Sequence, residues 1–187
     1  MKKLIESFGE MAMLSKETEE LFMQSIVKKE FKKKELLEEE GKICNHLYFV
    51  EKGVARTFYY KSGKEVTYWL AAENDFVGSM ASFFSRTPSN KHVETLEDCI
   101  LWIFDYTKLE NLYTRSKEME RMGRLFANYG MSVLEKKFDD FHSMSAKERY
   151  DVLVSKHPQI LQRVSLGIIA SYLGITQETL SRISGLK

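Results

Sequence analysis

The segment Ile168-Ile169-Ala170-Ser171-Tyr172-Leu173-Gly174-Ile175-Thr176-Gln177-Glu178-Thr179-Leu180-Ser181-Arg182-Ile183 admits few folds. Ile168, Ile169, Tyr172 and Leu173 recur at helical spacing, and the small Ala170 lets a second helix pack close. Gly174 can take the left-handed conformation that ends a helix, and the Thr176 hydroxyl can accept a hydrogen bond from the next first turn. Two helices joined by a sharp turn are therefore predicted. In the second, Ile175, Leu180 and Ile183 face inward and leave Gln177, Glu178, Thr179, Ser181 and Arg182 toward solvent. This is the spacing of a helix-turn-helix that reads duplex DNA.

The polar set suits that chemistry. Arg182 can give two hydrogen bonds to guanine O6 and N7, Gln177 can pair with adenine, and Glu178 can accept from cytosine N4. Thr179 and Ser181 better suit phosphates, as do Thr176 at the turn and Ser165 at the start of the first helix. An ordinary helical hairpin does not require these residues. Charge points the same way: residues 143–187 carry six Lys and Arg against three acids, while the rest of the chain holds 22 basic and 24 acidic residues. Arg163 is one of the cations expected to meet phosphate. The run Lys28-Lys29-Glu30-Phe31-Lys32-Lys33-Lys34 is followed at once by glutamates and reads as a solvated face.

The 187 residues suffice for a sizeable core or two small joined domains. No apolar run reaches the roughly 18 residues needed to cross a bilayer, and Met1-Lys2-Lys3-Leu4-Ile5-Glu6 lacks a signal-peptide core, so a cytoplasmic protein with no membrane partner is expected. Cys44 and Cys99 fit no metal spacing and read as buried free thiols. His46, His92, His142 and His157 are scattered, and neither a catalytic triad nor paired carboxylates stand at motif spacing. No enzyme, metal or certain cofactor is expected.

Ahead of the closing segment the hydrophobic period changes twice. Residues 15–28 open with Ser15 as a helix cap and place Leu21, Phe22, Ile26 and Val27 on a helical stripe. From about 31 to 104 the chain shows short strands, Leu47–Val50, Val54–Tyr60, Lys64–Leu70 and Cys99–Phe104, with turn signals at Glu51-Lys52-Gly53 and Lys61-Ser62-Gly63-Lys64 that predict antiparallel hairpins. Helical spacing then returns. Met119, Met122, Phe126, Tyr129 and Val133 stand 3, 4, 3 and 4 apart, the seam of a helix that pairs with a twin, and Leu134, Phe138 and Phe141 form a second stripe. Ser145-Ala146-Lys147-Glu148 has capping-box spacing, and Pro158 stops the helix that follows. The expected class is α+β: an antiparallel β-roll of the jelly-roll type with flanking helices over 1–115, a long dimerisation helix over 116–142, and an all-α helix-turn-helix domain over 143–187.

This order of parts resembles the Crp–Fnr family of bacterial transcription regulators over nearly the whole chain. The likeness rests on Glu38-Glu39-Glu40-Gly41, Leu47-Tyr48-Phe49-Val50-Glu51-Lys52-Gly53 and Asn74-Asp75-Phe76-Val77-Gly78 in the roll. In the reader it rests on Ile168, Ala170, Leu173-Gly174-Ile175-Thr176 and Glu178-Thr179-Leu180-Ser181-Arg182. The resemblance implies a homodimer on a two-fold symmetric operator, a small-molecule effector in the roll, and RNA polymerase as a further partner. It places the effector pocket at Gly78, Ser79, Met80, Ser89 and Asn90. Family members that bind cyclic AMP carry Gly-Glu-Leu there, then Arg and Ser or Thr about ten residues on; the Glu holds the ribose and the Arg the cyclic phosphate. Here Ser79 stands for the Glu and Ser89-Asn90 for the Arg pair. Burying a phosphate without its cation is costly, so cyclic AMP is not the expected effector. Many members also continue into a β-hairpin wing, whereas this chain reads Ser184-Gly185-Leu186-Lys187, and Gln177 replaces a basic residue found in some relatives. The competing reading is a ligand-sensing or interaction module that no longer binds specific DNA.

Overall fold

The computed structural model describes residues 14–185, so the reading of the first residues and of the last two lies outside the described part. Helix α1 (Lys16–Ser25) starts as expected at Ser15, whose hydroxyl accepts the Thr18 amide. It ends short of the 15–28 stripe. Ile26 turns extended, and Val27 is an exposed residue that opens strand β1 (Val27–Phe31), because β8 supplies pairing for Val27 against Ile103.

The chain continues through β2 (Leu36–Glu38), β3 (His46–Lys52), β4 (Ala55–Lys61), β5 (Lys64–Ala71), β6 (Phe76–Val77), helix α2 (Met80–Ser85), β7 (His92–Thr95) and β8 (Cys99–Asp105). Two antiparallel four-stranded sheets result, ordered β1-β8-β3-β6 and β2-β7-β4-β5. Their inner faces meet through Tyr48, Val50, Ala55, Val77, Val93 and Leu101. The hairpin expected at Lys61–Lys64 is present: Lys61 pairs with Lys64, and Ser62 and Gly63 both have positive φ, as a two-residue turn between twisted strands requires. The one expected at Glu51–Gly53 is not a hairpin. β3 and β4 lie in different sheets, and Gly53 is the corner between them, at φ +107° with Cys99 so close that a Cβ would fall 2.9 Å from its Cα.

β1 is an edge strand whose Lys28, Lys29 and Glu30 are exposed, so the basic run is a solvated face; Lys28 pairs with Glu51 and Lys32 with Asp98 at 3.0 Å. Cys44 and Cys99 are free and buried, and burial pushes both thiols up to about 11.

Helix α3 (Tyr106–Arg115) leads into α4 (Lys117–Ser143), 27 residues and about 40 Å long. The first half of α4 packs with α1 and α3 over the outer face of the β3/β8 sheet, around Phe22, Leu47, Phe49, Phe104, Leu109 and Leu112. Then come α5 (Ala146–Lys156), α6 (Ile160–Arg163), α7 (Leu166–Leu173) and α8 (Gln177–Ser184). The capping box forms at α5, with the Glu148 amide donating to Ser145 Oγ and the Ser145 amide to Glu148 Oε2, and the helix ends at His157, before Pro158. Among the described residues no helix is long and apolar enough to cross a membrane.

Candidate nucleic-acid interface

Helices α7 and α8 meet at the predicted turn. Gly174 caps α7 at φ 67°, ψ 35°; its amide donates to the Ser171 carbonyl at 3.1 Å and the Ile175 amide reaches back to the Ala170 carbonyl at 3.0 Å. Thr176 caps α8, its hydroxyl accepting the Thr179 amide at 3.2 Å. Leu180 is wholly buried, and Ile175 and Ile183 pack beside it against Tyr150, Leu153, Ile169 and Leu173. The sequence pattern therefore orients α8 correctly: Gln177, Glu178 and Arg182 are exposed along one side. Thr179 and Ser181 are half-buried, a correction to their expected solvent position, because they flank Leu180 on a helix of only eight residues.

The first turns of the two helices adjoin. The Gln177 side chain lies over Gly167, where a Cβ would meet Gln177 Nε2 at 2.8 Å. Ser165, just before α7, is exposed and its hydroxyl makes no capping bond. Ser165 and Gln177 therefore stand at the first turns of the two helices, and the exposed Arg182 stands in the last turn of α8. Its own backbone amide and then the Thr176 side chain hold the Glu178 carboxyl below its usual range.

The basic surplus of the C-terminal segment is largely engaged elsewhere, which corrects the expectation for Arg163. Its guanidinium donates to Glu73 at 2.7 and 2.8 Å and pairs with Glu97, both carboxylates of the roll. Lys156 and His157 hold Asp75 at 2.7 and 3.2 Å, Arg149 donates to the Leu173 and Met144 carbonyls, and Lys147 pairs with Asp151. Of the described cations in this segment, Arg182 is the one without such a partner. Those ion pairs, with Ser171 accepting the Thr67 amide at 2.9 Å, seat α6 and α7 on the roll, and Val54, Leu70, Ala72 and Leu96 share a core with Ile160, Val164 and Ile169.

Burial would raise the Glu73 carboxyl, but hydrogen bonds from Arg163 and the Gly53 amide outweigh it and bring the group down to about 2, from an ordinary value of 4.5. A carboxyl lowered by folding contributes stability that is present above its unfolded value and lost as pH falls through its folded one. The melting temperature of the parent is accordingly expected to exceed that of Glu73→Gln at pH 6, with the gap closing as pH drops from about 4.5 toward about 2. Parallel melting curves over that range would show that the clamp contributes no linked stability.

Of the residues assigned to an effector pocket, Gly78, Ser79 and Ser89 are packed or bonded within the roll. Gly78 packs on Leu47 so tightly that a Cβ would lie 2.6 Å from Leu47 Cδ2. Ser79 and Ser89 are buried and bonded to each other, Oγ to Oγ at 2.8 Å; Ser89 also accepts the Lys91 amide and donates to the Lys91 carbonyl. Met80 packs into the core under α4, and Asn90 is exposed, bonded to Lys91. Among the described residues, no side-chain cation bonds to the Ser79 or Ser89 hydroxyl.

The dimer seam needs a larger correction. Met119 and Met122 are 0% and 3% exposed inside the protein's own core, and the Phe126 ring lies 4.7 Å from that of Phe76, so these three face inward. Gly123 brings α4 against Tyr113, which leaves no room for a Cβ. Tyr129 is exposed and Val133 half-exposed. The apolar face left open is Met131, Leu134, Phe138 and Phe141.

Residues 28–116 match the family model of the cyclic nucleotide-binding domain. No match is found among curated protein sequences. Among solved structures, FixK2 from Bradyrhizobium japonicum aligns at a TM-score of 0.70 and 19% identity over 86% of this chain and 83% of that one. A putative transcriptional regulator of the Crp/Fnr family from Eubacterium rectale aligns at 0.66 and 19% over 91% and 82%. The catabolite activator protein of Thermus thermophilus aligns at 0.58 and 18% over 92% and 83%. The chain thus shares the fold of these regulators, an antiparallel β-roll with flanking helices followed by C-terminal helices.

Proposed function

We propose that the protein is a sequence-specific DNA-binding transcription regulator that works as a homodimer. The observation that carries this reading is the α7–Gly174–α8 turn, with a buried Leu180 behind an exposed row of Gln177, Glu178 and Arg182. Residues 143–187 read the DNA, α4 pairs the subunits, and the roll over 1–115 positions the reading helices. The seam consists of Met131, Leu134, Phe138 and Phe141, whose spacings of 3, 4 and 3 are those of a coiled coil and whose exposure leaves them free for a twin. The roll does not take cyclic AMP in the usual way: the hydrogen-bonded Ser79 and Ser89 leave neither carboxylate for a ribose nor cation for a phosphate.

With its neighbouring cations engaged, Arg182 is the principal charged reader. Selection from random duplex DNA is expected to yield a two-fold symmetric sequence, and Arg182→Ala to weaken binding to it by about 1–3 kcal/mol while relaxing preference at one base pair per half-site. Parental affinity in that variant would refute direct readout by α8.

A further inference from the structure

The reading domain leaves the long helix through a short joint. Met144 and Ser145, both extended, separate α4 from α5, and the angle across them is left for other contacts to set. The roll supplies those contacts. Val54, Leu70, Ala72 and Leu96 share a core with Ile160, Val164 and Ile169, but apolar contact has no preferred direction and does not fix the rotation of one surface on another. Direction comes from a clamp beside that core. Glu73 and Asp75, between β5 and β6, and Glu97, between β7 and β8, face Arg163, Lys156 and His157 of the reading domain. The Arg163 guanidinium bridges Glu73 and Glu97, and its planar fork admits few orientations. Glu73 also accepts the Gly53 amide at 2.8 Å and Asp75 the Ala72 amide at 3.2 Å, so both carboxylates are anchored in the roll. All six side chains except Lys156 are half-buried, and a network of this kind holds a geometry that an isolated exposed pair does not.

We propose that this clamp sets the operator spacing: Glu73, Asp75 and Glu97 are positioning residues that hold each reading helix at one place and angle relative to the α4 seam, so that the dimer accepts one separation of its half-sites. None of the three carboxylates touches DNA; they act through Arg163, Lys156 and His157. The inference rests on DNA reading by α8 and on pairing through α4, and adds which residues decide the operator's geometry. Each base pair inserted between two half-sites moves one of them by about 3.4 Å and turns it by about 35° around the duplex. Readers bolted to their rolls cannot follow that displacement, whereas readers hanging from the Met144–Ser145 joint can.

The test uses the full chain, the operator selected by the parent from random duplex DNA, and copies of it with one or two base pairs inserted between the half-sites. The parent is expected to lose about ten-fold or more in affinity per inserted base pair, because a rigid pair of readers then keeps only one half-site. Glu73→Lys/Glu97→Lys, which sets two ammoniums against Arg163, should lose less than about three-fold while binding an isolated half-site as the parent does. Glu97→Lys alone keeps the Glu73 bond to the Gly53 amide and should give an intermediate penalty. Adding Arg163→Glu to the double variant re-forms the pairs with the charges exchanged and should restore the parental penalty, a ratio that a uniform loss of affinity does not change. A parent that tolerates the insertions, an equal penalty in the parent and the double variant, or a charge exchange that restores nothing would overturn the clamp's role and leave DNA reading intact. Failure of the parent to select any two-fold symmetric sequence would overturn DNA reading itself, and the spacing proposal with it.

Discussion

Truncating Met122 to alanine is expected to lower folding stability by about 2–5 kcal/mol and to leave the oligomeric state of the folded protein unchanged. Met122 is 3% exposed and sits with Phe22, Leu109, Leu112 and Met119 between α1, α3 and α4. The loss combines the transfer free energy of the missing atoms with the cavity they leave, which close-packed neighbours fill only in part. For a chain of this length that amounts to roughly 4–20 °C in melting temperature. Thermal unfolding and sedimentation of the same sample separate the two claims. A stable variant that dissociates would return Met122 to the seam.

Phe138→Asp should do the opposite. Phe138 is 64% exposed, so the substitution disturbs little of the monomer's interior, but in the proposed dimer it sets two carboxylates against each other in an apolar seam. A monomer in sedimentation with a near-parental melting temperature is expected. Because a dimer binds its second half-site at the high effective concentration set by the first, affinity for a two-half-site duplex should fall by about 10²–10⁴, far more than for the loss of one reading side chain. Binding to a single half-site should barely change. A persistent dimer would place the interface elsewhere on the chain.

These expectations hinge on a helix whose pattern is easy to detect and hard to orient. Both stripes of α4 are visible in the sequence, and a helix with two apolar faces implies two partners. Periodicity does not say which partner is the chain itself. The stripe with Met119 and Met122 turns inward because α1 and α3 pack there and because Gly123 admits Tyr113. The strands divide similarly. β3, β4, β5 and β8 are legible from their apolar residues, whereas β1 (Val-Lys-Lys-Glu-Phe) and β7 (His-Val-Glu-Thr) carry little apolar signal and are strands because β8, β2 and β4 offer them hydrogen bonds. Gly53 reads as a hairpin turn, and only the two-sheet arrangement makes it a corner.

In the candidate interface, the cap at Thr176, the left-handed Gly174, the inward Leu180 and the outward Arg182 were all contained in sixteen consecutive residues. Helix ends and helix faces depend on side chains within a turn or two, so local sequence suffices for them. The availability of charge is not local. Arg163 looked like a phosphate ligand and is held instead by Glu73 and Glu97, 90 and 66 positions away. The exposed stripe of α4 and the Ser79–Ser89 pair have the same origin. From the sequence alone came the turn, the caps and the polar face of α8; tertiary packing alone decided which cations and which apolar face stayed free, because both depend on what distant segments bring alongside them.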